Sequence, residues 1–223
     1  MPTSSLHQIS DIVEMIVAAD PRSVLDVGVG FGKYGVLARE YLELLDGRAV
    51  YADWRRRIDG IEIFPDYLTG LHRSVYDRIM VGDAAKILPT IRDHEYDLIL
   101  LVDVLEHFTP AVGETVLDAS LRAGRNVIVS TPLRFFAQEG FGNPHEQHRS
   151  HWTRADFLAR DRPCFFLPEH HSLCCDLGED AFRVRRRVLS PRRRLTRSLG
   201  FLVAPLRRIK AAFGTSHRPR GAS

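Results

Sequence analysis

The stretch LDVGVGFGKYG, residues 25–35, decides the fold. It continues an apolar run, SVLDVGV (23–29), and opens onto a helical pattern, YGVLAREYLELL (34–45). Gly28, Gly30 and Gly32 free the chain to turn tightly and to bring main-chain N–H groups against a ligand. A strand, a glycine turn and a helix form the opening of a βαβ unit. Counted from Gly28, the dinucleotide fingerprint G-x-G-x-x-G requires glycine where Lys33 stands, and the phosphate loop G-x-x-x-x-G-K-[ST] finds no register here. Asp26, two residues before Gly28, adds a carboxylate at the strand end. It would repel a pyrophosphate and suits a cationic ligand.

Working outward, four more runs read as buried strands: RIDGIEI (57–63), RIMVGD (78–83), YDLILLVDV (96–104) and NVIVSTP (126–132). Helical patterns separate them, PDYLTGLHRSV (65–75) and AVGETVLDASLRAG (111–124). Alternation at this spacing predicts an α/β chain with a mostly parallel sheet covered by helices on both faces. The segment HSLCCDLGEDAFRVRRRV (171–188) reads as a closing hairpin turning at Gly178, which adds an antiparallel edge strand. At the N-terminus, MPTSSLHQISDIVEMIVAAD has no basic leader and carries Asp11 and Glu14 inside its apolar pattern. It reads as an amphipathic helix and not as a signal peptide.

At 223 residues and 44% hydrophobic composition, the chain is long enough for one large domain with a real core. Cys164, Cys174 and Cys175 make an odd set with two neighbours, no disulfide framework, and point to a reducing, cytoplasmic setting. The net charge of +3 conceals an asymmetry. From Arg183 onward the chain has 13 of its 31 Lys+Arg and none of its 28 acidic residues, which leaves an acidic body. We divide it into a domain over 1–190 and a basic extension over 191–223. Within the extension Leu195, Leu199, Leu202, Leu206, Ile209 and Phe213 recur at helical spacing, with arginines off that stripe. Such a helix suits a membrane surface, which would make 191–213 a peripheral contact on the inner membrane face. Docking onto protein is the competing reading. Nucleic acid is disfavoured, because the acidic body repels a phosphate backbone.

The acidic-x-Gly-x-Gly-x-Gly pattern of Asp26, Gly28, Gly30 and Gly32 resembles motif I of the class I S-adenosylmethionine-dependent methyltransferases. The resemblance continues in order along residues 20–190. Glu62 in GIEIF stands where that family places an acid for the ribose hydroxyls, with Ile63 against the adenine. Asp83 in VGDAA, with Ala84 beside it, stands where an acid or amide meets the adenine amino group; a helix N-cap is its competing role. DVLEHF (103–108) is similar to the D-x-x-E-H segment of small-molecule members. It places Asp103 near the methionine moiety or as a helix cap. The resemblance implies a Rossmann-like, seven-stranded sheet, S-adenosylmethionine as cofactor, and methyl transfer to a small-molecule, glycan or lipid-linked acceptor. A non-catalytic scaffold of the same fold and an RNA methyltransferase using the basic tail are the alternatives.

The acceptor side is carried by two places. His107 follows the fourth strand, where an imidazole could take a proton from an acceptor hydroxyl. NPHEQHRSHW (143–152) follows the fifth strand and reads as a lip over the pocket, with Glu146, His148 or His151 facing the acceptor and Arg149 able to hold an anionic group. The zinc-protease motif H-E-x-x-H fails here, because Arg149 stands where its second histidine belongs. No metal is assigned; a trio of His145, His148 and His151 is the one arrangement that spacing alone allows.

Overall fold

The computed structural model describes residues 6–137, 142–168 and 172–190. The chain divides into two units, Met1–Arg185 and Arg186–Ser223. The amphipathic pattern expected over 191–213 lies outside the described residues. Among the described residues no helix is long and apolar enough to cross a membrane.

The first unit is built on seven strands: β1 (Ser23–Val27), β2 (Arg57–Glu62), β3 (Arg78–Val81), β4 (Tyr96–Val102), β5 (Gly124–Pro132), β6 (Cys164–Phe166) and β7 (Ser172–Gly178). They lie in the order β3-β2-β1-β4-β5-β7-β6. The pairings among β1 to β5 are parallel, and β7 runs antiparallel to both β5 and β6. This is the expected Rossmann-like sheet, with the antiparallel strand inserted at one end. Its central strand β4 is apolar without alternation because both faces are covered; Leu98, Ile99, Leu100 and Leu101 are fully buried.

The helices are α1 (Ile9–Ala19), α2 (Lys33–Leu42), α3 (Gly70–Val75), α4 (Ala84–Ile87), α5 (Pro110–Ala123), α6 (Arg154–Leu158) and α7 (Ala181–Val188). The N-terminal segment is helical as its pattern requires, burying Ile12, Met15 and Ile16. The closing hairpin differs from its sequence reading. Its two arms are β6 and β7, whereas 181–188 is helical. Phe182 and Val184 look like strand alternation, but Phe182 is exposed, and the buried pair is Ala181 with Val184 at helical spacing. Strand order reverses between β1 and β4, so their carboxyl ends open the crevice where open α/β sheets bind ligands.

Candidate active site

The glycine turn is held from several sides. Gly28, Gly30 and Gly32 all take positive φ (73°, 51° and 90°), a region that a side chain makes costly. The N–H groups of Gly28 and Val29 donate to the Ile61 carbonyl at 2.8 and 3.2 Å, and Gly30 N–H donates to Glu62 Oε2 at 2.9 Å. From below, buried His72 donates from Nε2 to the Gly30 carbonyl at 2.9 Å, while its Nδ1 accepts from Thr69 N–H at 3.0 Å. Tyr76 completes the support. Its hydroxyl donates to Asp26 Oδ2 at 2.6 Å, and its ring lies where a Cβ on Gly35 would sit 2.3 Å from Cζ. Burial and the Glu62 charge push the Asp26 carboxyl up to about 7, against the pull of the Tyr76 hydroxyl.

This turn and the carboxyl ends of β2 to β5 wall a cavity of about 700 Å³, within the range of small-molecule and cofactor sites. Gly28 and Gly30, Glu62 with Ile63, Asp83 with Ala84, and Asp103 all line it. So do His107, Glu146 and His148. Three predicted residues do not. Asp26 and Gly32 lie behind the turn and shape it, and His151 turns its Nε2 to the Leu133 carbonyl at 3.0 Å.

Each carboxylate on this wall is held by the fold. Glu62 also accepts from Phe64 N–H through Oε1 at 2.9 Å, so a main-chain donor holds each of its oxygens. Burial raises its pKa, and the Phe64, Gly30 and Ile63 N–H groups oppose the rise. Asp83 does cap α4, accepting from Ala85 N–H at 2.9 Å, and it faces the cavity as well. Asp103 caps no helix. It adopts φ 54° and accepts from Ser130 Oγ and Gln8 Nε2, each at 2.6 Å.

The rim 143–152 is fixed from its far end. The N–H groups of Arg149 and Ser150 donate to the Glu106 carbonyl at 2.7 and 3.1 Å, and Ser150 Oγ donates to the Leu105 carbonyl at 3.1 Å. Trp152 donates to Ser150 Oγ at 3.0 Å and packs where a Cβ on Gly113 of α5 would lie 2.5 Å away. At the near end, Tyr67 donates its hydroxyl to Glu146 Oε1 at 3.0 Å and accepts from Asn143 Nδ2 at 3.2 Å. These pins bring His148 against His107, with ring centroids 5.1 Å apart. Burial lowers the pKa of both rings, and for His148 the His107 charge lowers it further. Both imidazoles are therefore neutral at pH 7 and able to accept a proton.

Five carboxyl side chains face the cavity against two cations, Lys33 and Arg149. That balance favours a cationic ligand over a phosphate. Sequence reasoning missed several contributors. Lys33 served only to exclude a dinucleotide loop, yet it lines the cavity, its pKa lowered by burial and raised by Asp103. His72, Tyr76 and Tyr67 belong to the 65–76 connection, and no local spacing marks them.

No protein-family model and no curated protein matches this sequence. Solved structures do match, at low identity. One is WbdD, with a TM-score of 0.57 at 12% identity over 79% of this chain and 40% of that one. A second is an O-methyltransferase family protein from Burkholderia thailandensis, with a TM-score of 0.54 at 12% identity over 78% of this chain and 55% of that one. A third is the PH0226 protein from Pyrococcus horikoshii, with a TM-score of 0.50 at 17% identity over 70% and 81%. This chain thus spans about half or less of the first two. The architecture it shares with them is the Rossmann-like methyltransferase fold.

Proposed function

We propose that this chain is an S-adenosylmethionine-dependent methyltransferase acting on a small-molecule, glycan or lipid-linked acceptor. The observation that carries this reading is Glu62. Its carboxylate is seated under Gly30, held by main-chain N–H groups, and faces the cavity, a placement that suits neighbouring hydroxyls. The bound group fits the rest of the wall too, because the acid-rich lining suits a sulfonium and an ammonium and offers no cradle for phosphate. S-adenosylmethionine supplies an electrophilic methyl group on positively charged sulfur. Glu62 would hold its ribose, Ile63, Asp83 and Ala84 its adenine end, and Asp103 with the Gly28–Gly30 backbone its methionine end. Asp26 acts through Tyr76 and Gly35 as a positioning residue for the turn.

On the opposite wall, neutral His107 and His148 are placed to take a proton from an acceptor hydroxyl, while the pinned rim restricts water. Arg149 offers a cation for an anionic acceptor. The amphipathic, basic segment over 191–213 would add a peripheral membrane contact, which puts lipid-linked acceptors first in line. Labelled methyl transfer from S-adenosylmethionine to lipid, glycan and RNA fractions tests the reading. Label in the lipid or glycan fraction supports it, and label in RNA alone overturns the acceptor class. Co-sedimentation of the full chain and of residues 1–190 with anionic vesicles tests the tail; equal binding by both ends that part.

A further inference from the structure

The sequence reading assigned no metal, and the one trio that spacing allowed was His145, His148 and His151. The fold assembles a different trio. Glu106 and His107, neighbours in the turn after β4, meet His148 from the rim, and one potential ligand atom from each lies within 4.8 Å of the others. We propose that Glu106, His107 and His148 form a binding site for a divalent transition-metal ion on the acceptor side of the cavity.

Three features support it independently of one another. Glu106 is 1% exposed, it lines the cavity, and neither carboxylate oxygen meets a donor in full hydrogen-bonding geometry; its own main-chain N–H and the Thr131 hydroxyl are the donors near it. A buried carboxylate so weakly served is costly, and a cation beside it reduces the cost. Second, both imidazoles are already oriented. His107 Nδ1 lies 3.3 Å from the Gln147 carbonyl and His148 Nδ1 lies 3.1 Å from the Phe136 carbonyl. A carbonyl only accepts, so each Nδ1 carries the proton and each Nε2 keeps its lone pair. This is how histidine ligands are set by their outer partners. Third, the separation is right. Bonds of about 2.0–2.2 Å to one ion need ligand atoms roughly 3–4 Å apart, and side-chain rotation closes the difference.

The donor set names the class of ion. Two imidazoles and one carboxylate suit Zn²⁺, Mn²⁺, Co²⁺ or Fe²⁺, whereas Mg²⁺ and Ca²⁺ prefer oxygen throughout. Three protein ligands leave a coordination position toward the cavity. On the methyltransferase reading, that position is where an acceptor oxygen would be held and made more acidic, the ion then replacing the two imidazoles as the group that activates it. Metal binding itself does not depend on that reading.

The test uses tag-free full-length chain stripped with chelator and titrated with Co²⁺, followed by its visible absorption, with Zn²⁺ as competitor. S-adenosylmethionine affinity is measured alongside by calorimetry. One Co²⁺ per chain, displaced by Zn²⁺, is expected. Glu106→Gln, which keeps the side chain's shape, and His148→Ala, at the rim, should each weaken Co²⁺ by about 10–100-fold or more. Both should melt as the parent does, and His151→Ala should bind Co²⁺ unchanged. Absent Co²⁺ binding, or binding that Glu106→Gln and His148→Ala leave intact, overturns the site. Co²⁺ binding without S-adenosylmethionine binding keeps the site and overturns the methyltransferase reading.

Discussion

The glycine turn at 28–32 and the rim at 143–149 face the same cavity, and they are held by different means. The turn is fastened through main-chain groups and interlocked shapes: Ile61 and Glu62 receive its N–H groups, His72 supports it, and Tyr76 fills the space that Gly35 leaves. Its side-chain contacts to Glu62 and His72 span 32 and 42 residues of sequence. The rim is fastened at few points, by two bonds to the Glu106 carbonyl and two around the Tyr67 hydroxyl. Its functional groups are side chains, and they point at the site because distant segments pin the loop. On the proposed function, the first wall takes the methyl donor and the second the acceptor.

Four experiments break or sharpen this contrast. The largest effect concerns pH. Asp26 titrates near 7 in the fold against an ordinary carboxylate value near 3.8, so the folded chain keeps a proton that the unfolded chain has released. Stability must therefore fall as pH rises from about 4 to about 7, by up to ~1.4 kcal/mol per unit and on the order of 4 kcal/mol in all. Asp176, also pushed up to about 7 by burial, contributes in the same sense. Thermal melts across that range should show a flatter profile for Asp26→Asn than for wild type; parallel profiles would contradict the buried placement of Asp26. Next, Glu62→Ala should lower S-adenosylmethionine affinity by about 100-fold, roughly 3 kcal/mol, through lost charged hydrogen bonds. Calorimetry checks it, and an unchanged affinity would move the donor away from β2. Third, Gly35→Ala should cost about 2 kcal/mol of stability, because Tyr76 must move. Chemical denaturation measures this, and a neutral result would show that the interlock is loose. Smallest, His148→Ala should lower methyl-transfer turnover about tenfold, some 1.4 kcal/mol, with donor affinity kept. Loss of donor affinity instead would join the two walls into one.

The same contrast explains what could be read from sequence. The α/β order, the five parallel strands and the cavity-lining positions Gly28, Gly30, Glu62, Ile63, Asp83 and Ala84 follow from strand ends, where spacing is local and regular. Asp26 was legible as a feature of the turn, but its direction was not, since whether it faces the ligand or Tyr76 depends on a residue 50 positions away. His107 and His148 were each visible, and their contact was not, because it needs the pin from Ser150 and Trp152 beneath α5. His151 looks equivalent to His148 in sequence, and a turn of the loop sends it to the Leu133 carbonyl. The hairpin failed for a simpler reason: Phe182 and Val184 fit a strand as well as a helix, and only burial of Ala181 and Val184 decides.

The central claim is that the acidic crevice beside the glycine turn takes the methyl donor. Calorimetric titration of S-adenosylmethionine into the full chain and into Glu62→Ala tests it most directly. The structure predicts saturable one-site binding by the parent and strongly weakened binding by the variant. No heat of binding by the parent at millimolar ligand, or equal binding by both, would contradict it.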